Sequence, residues 1–126
     1  MRYPIEIHLV HQKEDGATLV LAIMALEGKD NLPFTFLESF LPVQIGETKN
    51  LGMAFDIASI LPGNKTYFFY EGSFTTPPCS EGVHWIILQT PITISLEQVL
   101  VLQKLMPLNN YRNQQPLNGR VVKTNL

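Results

Sequence analysis

Two stretches of the chain, Glu6-Ile7-His8 and Thr75-Thr76-Pro77-Pro78, hold residue types that could do chemistry. In an extended chain a carboxylate at i−2 lies on the same face as the histidine. It can then accept a hydrogen bond from one ring N–H and leave the other nitrogen for a metal, as the outer partners of metal-bound histidines do. His8 therefore reads either as a structural histidine satisfied by Glu6 or as a ligand held by it. His11 cannot share a metal with His8 from a straight strand, because odd spacing sends the two to opposite faces. His84 neighbours Trp85 out of phase and reads as structural. The Thr75 and Thr76 hydroxyls precede Pro77 and Pro78, which fix φ and remove two amide donors. Gly72 and Gly82 free the backbone on either side. The result is a rigid loop presenting two hydroxyls.

Zinc takes about four ligands, and a catalytic zinc usually takes three from protein. The sequence offers His8 and no Cys-x-x-Cys, His-x-His or His-Glu-x-x-His to add to it. It has no Gly-x-Ser-x-Gly elbow either, and Cys79, the single cysteine, has no basic neighbour to lower its pKa. That thiol is either a buried side chain or a half-cystine whose partner lies on another piece of chain. Bottom-up, the residues amount to half a site.

The elements that would position these groups are mostly strands. Residues 3–12 alternate, with Glu6, His8 and Val10 on one face and Ile5, Ile7, Leu9 and His11 on the other. Glu14-Asp15-Gly16 signals a hairpin, and Thr18 to Leu26 is apolar enough for a strand covered on both faces. Phe34 to Leu41 reads as a short helix that packs Phe36, Leu37 and Phe40 and stops at Leu41-Pro42. Met53 to Leu61 can hold a helical turn. Strands flank the Thr75 loop, led by Tyr67 to Tyr70 and followed by Val83 to Leu88. Ser95 and Gln98 form a capping box for a helix from Leu96 to about Leu105. Leu96, Val99, Leu100 and Leu102 should pack, and Met106-Pro107 should end it. A last short strand is expected at Val121-Val122. The fold class is mainly β with two short helices.

With 126 residues the chain is one domain or part of one, and 45% hydrophobic content supports a real core. A net charge of −2 carries no basic footprint and argues against a nucleic-acid partner. No apolar run approaches the roughly 18 residues that span a bilayer. Glu6 falls where a secretion signal would need its apolar core, so no signal peptide is visible.

Glu6-Ile7-His8-Leu9-Val10-His11 and Ser73-Phe74-Thr75-Thr76-Pro77-Pro78-Cys79-Ser80-Glu81-Gly82-Val83-His84-Trp85 together resemble the α-class carbonic anhydrases. Pro91-Ile92-Thr93-Ile94-Ser95 with Glu97-Gln98, and Asn110-Tyr111-Arg112 with Gln115-Pro116-Leu117, match the same family in the same order. The resemblance implies that residues 1–126 are a partial domain, the C-terminal part of a large, mostly antiparallel twisted sheet with short peripheral helices. It implies a zinc enzyme in which zinc-bound hydroxide attacks CO2 to give bicarbonate, with sulfonamides as inhibitors. His8 matches the third zinc histidine and Glu6 the carboxylate that orients it. Thr75 matches the hydroxyl that aims the hydroxide and passes a proton to an upstream glutamate, and Thr76 lines the substrate side. Val10, Val20, Phe74, Val83 and Trp85 match the apolar CO2 wall, with Phe74 where many members carry leucine. Cys79 stands where many secreted and bacterial members have a half-cystine, which points to a periplasmic or secreted parent. The Pro77-Pro78 bond is a candidate cis peptide.

The family's His-x-His, its gatekeeping glutamate and any proton-shuttle histidine have no match among these residues. The expectation is therefore a chain inactive alone that binds zinc weakly and either self-associates or takes up a complementing N-terminal half. A non-catalytic, carbonic-anhydrase-related binding module is the alternative reading.

Overall fold

The structure is a computed structural model that describes residues 2–41, 44–106 and 110–126. Its strands are β1 (Ile5–Gln12), β2 (Thr18–Glu27), β3 (Tyr67–Ser73), β4 (Glu81–Leu88), β5 (Ile92–Ile94) and β6 (Lys123–Thr124). Two helices, α1 (Leu32–Glu38) and α2 (Leu96–Leu105), and a 3₁₀ turn at Ile57–Ile60 complete it. No helix among the described residues is long and apolar enough to cross a membrane.

The strands make one sheet in the order β1-β2-β4-β3-β6, with β5 paired to β2 beyond the end of β4. β1–β2 and β3–β4 are antiparallel hairpins, and β3–β6 is antiparallel too. The seam joining the hairpins, β2–β4, is parallel, as is β2–β5. The sheet is thus mixed, with its parallel pairs at the centre. That accounts for the unbroken apolar run of β2, which is covered on both faces.

Each face carries its own cluster. On one, Ile23, Ala25 and Leu88 pack with Phe34, Ile60, Val99 and Leu102 from the helices and the 3₁₀ turn. On the other, Val20, Ala22, Val83 and Trp85 pack together with Tyr70, Phe74 and Ile87 around them. Strand alternation assigns the two clusters to opposite sides.

Four local expectations shift. Helix α1 starts earlier than Phe34 because Asn31 caps it, accepting from the Phe34 amide at 3.0 Å. Pro33 then sits in the first turn, where its missing donor costs nothing. Phe34 rather than Phe36, Leu37 or Phe40 becomes its buried residue, and Phe36 stacks instead on Phe55 at 5.5 Å. Helix α1 also ends at Glu38, three residues before the expected Leu41, while α2 ends at Leu105 as expected; Pro42 and Pro107 themselves lie outside the described residues. Helix α2 spans the expected residues, but Leu96 and Leu100 are 52% and 47% exposed and Gln98 is buried in their stead. The last strand forms at Lys123–Thr124, two residues late. A turn through Asn118 and Gly119, both at positive φ, is closed by Arg120 N–H on the Leu117 carbonyl, and it leaves Val121 and Val122 outside the ladder. The short strand β5 was not anticipated. It is three residues long, too short for periodicity to register.

Gln98 explains its own burial. Its Oε1 accepts from Ser95 N–H at 3.1 Å, closing the capping box, and from Asn31 N–H at 3.0 Å. Its Nε2 donates to the Asn31 carbonyl at 3.0 Å and the Thr35 hydroxyl at 2.8 Å. One side chain thus ties the starts of both helices together. Gln98→Ala, which strands two amides, is expected to cost about 2–4 kcal/mol, against about 1 kcal/mol for Ser95→Ala. Urea midpoints check this, and equal losses for the two variants would refute the shared role.

Candidate functional site

The second face of the sheet gathers most of the residues singled out above. Register places Val10 opposite Val20, Val20 opposite Trp85, and Trp85 opposite Tyr70, a row that crosses four strands. Val20 and Val83 are 1% exposed and Trp85 is 3% exposed, with Phe74 packed against them. Val10 lies in the same row but is 60% exposed, so it borders this apolar floor rather than building it.

His8 stands beside that floor. Its Nε2 lies 2.6 Å from Glu6 Oε1, the short separation of a charge-assisted bond. The carboxylate can only accept, so Nε2 carries the proton and donates. Nδ1 has no hydrogen-bond partner among the described residues. The ring meets Trp85 edge-on at 4.9 Å, which limits its rotation. The other histidines are elsewhere. His11 donates from Nδ1 to the Leu9 carbonyl at 3.0 Å. His84 lies on the opposite face, stacked on Phe69 and 3.7 Å from Glu71, in keeping with its structural reading.

The loop between β3 and β4 is closed by Phe74 N–H on the Ser80 carbonyl and tightened by Cys79 N–H on the Thr76 carbonyl, at 3.0 and 2.9 Å. Pro77–Pro78 is cis, as the resemblance implies, and Cys79 and Gly82 have positive φ. Gly72 serves by lacking a side chain, since a Cβ there would come within 3.0 Å of Tyr70 and 3.2 Å of Trp85. Thr75 and Thr76 are exposed, and neither hydroxyl has a partner among the described residues. Both line an open hollow of about 400 Å³ with Pro77, Cys79, Asn110, Tyr111 and Arg112. Cys79 is a partly exposed free thiol beside this hollow.

Sequence reasoning missed the groups that pin the loop. Trp85 Nε1 donates to the Ser73 carbonyl at 3.0 Å, and Arg112 Nη1 donates to the Ser73 hydroxyl at 2.7 Å. Arg120 donates to the carbonyls of Glu71, Pro116 and Leu117 and lies over the Tyr70 ring. Burial first and the Glu6 carboxylate second raise the Tyr70 phenol above its usual pKa, with Arg120 opposing. Arg112 belongs to a matched motif, but nothing in the spacing of residues 73 and 112 announces that they meet.

Among the described residues no three of His, Cys, Asp and Glu converge as a metal set. The donors fit one corner of a zinc site, His8 with Glu6 behind it, and leave the others to be supplied.

A family model for eukaryotic-type carbonic anhydrase matches residues 1–126. A carbonic anhydrase of Klebsiella pneumoniae is 42% identical over 120 residues, which cover 95% of this chain and 49% of the relative. One from Pectobacterium carotovorum is 36% identical over 121 residues, 96% of this chain and 50% of that protein. The α-carbonic anhydrase of Thermovibrio ammonificans, solved in complex with the inhibitor sulfanilamide, superposes with a TM-score of 0.88 at 40% identity, over 95% of this chain and 53% of that one. That of Photobacterium profundum gives 0.87 at 42% identity, over 95% and 55%. The chain spans about half the length of the relatives it matches.

Proposed function

Because this chain belongs to the eukaryotic-type carbonic anhydrase family, we propose that its residues form the downstream half of a zinc site for the reversible hydration of CO2. The two remaining zinc ligands then come from outside these 126 residues. The observation that carries the reading is the 2.6 Å contact of His8 Nε2 with Glu6, which in the neutral ring fixes the tautomer and leaves Nδ1 as the nitrogen available to a metal.

Zinc, when bound, turns water into a nucleophile near neutral pH. The chain's own residues do the rest. Glu6 holds the His8 ring and keeps Nε2 protonated. The free Thr75 hydroxyl can accept one hydrogen bond and donate another to a carboxylate supplied with the missing ligands, orienting whatever it accepts from. Val10 and Phe74, the accessible apolar side chains bordering the buried cluster of Val20, Val83 and Trp85, would give CO2 a dry wall with no polar group to hold it in place of reaction. The Thr75 and Thr76 edge of the hollow, near Arg112, is where bicarbonate or a sulfonamide would lie. An intact Glu6–His8 pair favours this reading over a non-catalytic binding module, which needs neither residue.

The test mixes the purified chain with a polypeptide carrying the family's upstream strands, His-x-His and glutamate included. The chain alone should show no sulfonamide-sensitive CO2 hydration and less than one zinc per chain, and the mixture should gain both. Sulfonamide-sensitive turnover with one zinc per chain in the isolated protein would overturn the proposal, as would a mixture that forms a complex yet stays inactive.

A further inference from the structure

Strand β3 ends at Ser73. There the ladder with β4 loses its regularity. Gly72 stands opposite Val83 and Ser73 opposite Glu81, so Gly82, at φ 87°, is the extra residue of a bulge. Bulges bend a strand and re-aim the side chains beyond them. Side chains hold Ser73 at this break. Its carbonyl accepts from Trp85 Nε1 at 3.0 Å, and its hydroxyl accepts from Arg112 Nη1 at 2.7 Å while donating to the Phe74 carbonyl at 3.0 Å. The Arg112 bond has the short length of a charge-assisted one. The next link is Phe74 N–H on the Ser80 carbonyl, and the residue after it is Thr75.

We propose that the Arg112–Ser73 hydrogen bond is a strut that aims the Thr75 hydroxyl, which makes Ser73 and Arg112 positioning residues for the reaction. Both ends of the strut lie within this chain, and neither is a candidate metal ligand. Thr75 lies two residues beyond Ser73, about 7 Å along an extended chain, so a swing of about 10° at Ser73 moves it by about 1 Å. An orienting group misplaced by that much can cost about 100-fold in rate. Ser73 suits the task because one small hydroxyl takes the guanidinium on one side and locks the following carbonyl on the other. Arg112 also lines the hollow beside Thr75 and Thr76, which offers it a different part, direct contact with an anion. The strut is favoured because Nη1 is already committed to Ser73. The inference rests on the zinc-site reading only for the work that Thr75 does.

Amide hydrogen exchange in the full chain tests the strut directly. The Phe74 and Cys79 N–H groups close and tighten the loop. Their exchange should quicken about 10-fold in Ser73→Ala and in Arg112→Ala, as the loss of one charged hydrogen bond implies, while amides of β2 keep their rates. Ser73→Thr, which retains a hydroxyl, should restore slow exchange. In the complex with the upstream strands, both alanine variants should lower kcat about 10–100-fold for CO2 hydration and bicarbonate dehydration alike, with zinc content and the KM for bicarbonate unchanged. The double variant should be no slower than either single one, because both remove the same bond. Unchanged exchange at Phe74 and Cys79, quickening that spreads equally to β2, or a raised KM for bicarbonate in Arg112→Ala with kcat kept would each overturn the proposal. The exchange measurement needs neither zinc nor the upstream strands. Local quickening beside a failed complementation would therefore uphold the strut and count against the zinc site alone.

Discussion

Trp85→Ala is expected to cost about 3–5 kcal/mol, enough to unfold much of the population of a domain with ordinary marginal stability. The side chain is 3% exposed in the cluster with Val20, Ala22 and Val83, and it stacks on Tyr70 at 6.4 Å. Its removal leaves a cavity at the centre of the sheet's second face and strips the Ser73 carbonyl of the indole donor. Trp85→Phe separates the two contributions. It keeps most of the packing and loses only the hydrogen bond, so a penalty of about 1–3 kcal/mol is expected. Denaturant unfolding followed by far-ultraviolet circular dichroism checks both, since the single tryptophan is itself removed. A Trp85→Ala penalty under 1 kcal/mol would mean that the cluster is not packed as described.

The second large effect belongs to the complex proposed above between this chain and the upstream strands. With the upstream strands supplied, Thr75→Val is expected to lower kcat/KM about 100-fold or more with zinc retained, because an orienting hydrogen-bond group is lost and no ligand is. Glu6→Gln should show the reverse signature, weakening zinc about 10–100-fold and restoring much of the rate at saturating metal. Parallel zinc titrations and stopped-flow CO2 hydration distinguish the two. Loss of zinc in Thr75→Val, or full zinc affinity in Glu6→Gln, would show the roles to be wrongly assigned.

What the sequence disclosed depended on how local each signal was. Glu6 and His8 are two residues apart, so strand periodicity alone put them on one face, and the capping box of Ser95 and Gln98 is likewise read from a three-residue spacing. The length of β2 and its cover on both faces followed from its unbroken apolar run. Contacts made across the chain stayed hidden. Nothing near Gln98 shows that its amide reaches Asn31 and Thr35, so the apolar pattern of α2 favoured Leu96 and Leu100 for burial and left out that helix's own buried polar residue. Arg112 on Ser73 and Arg120 on Glu71 are side-chain contacts onto strand β3 from residues 39 and 49 positions away, with no periodicity to betray them. The late start of β6 follows from the turn through Asn118 and Gly119, whose closure by Arg120 outweighs the strand preference of two consecutive valines.

The parallel seam at the centre of the sheet has a consequence for the order in which the molecule folds. Each hairpin closes over a short stretch, and isolated hairpins form in roughly 1–10 μs. The pairing of Thr18 with Val83 joins residues about 65 positions apart and must pay the larger loop-closure entropy before it gains any packing. The two hairpins should therefore form early and dock late. Val20 and Trp85 face each other across that seam, while His8 rides on one hairpin and Thr75 on the other. The apolar floor of the site is the product of the docking step, and nothing that recognises it can bind before the molecule is otherwise complete.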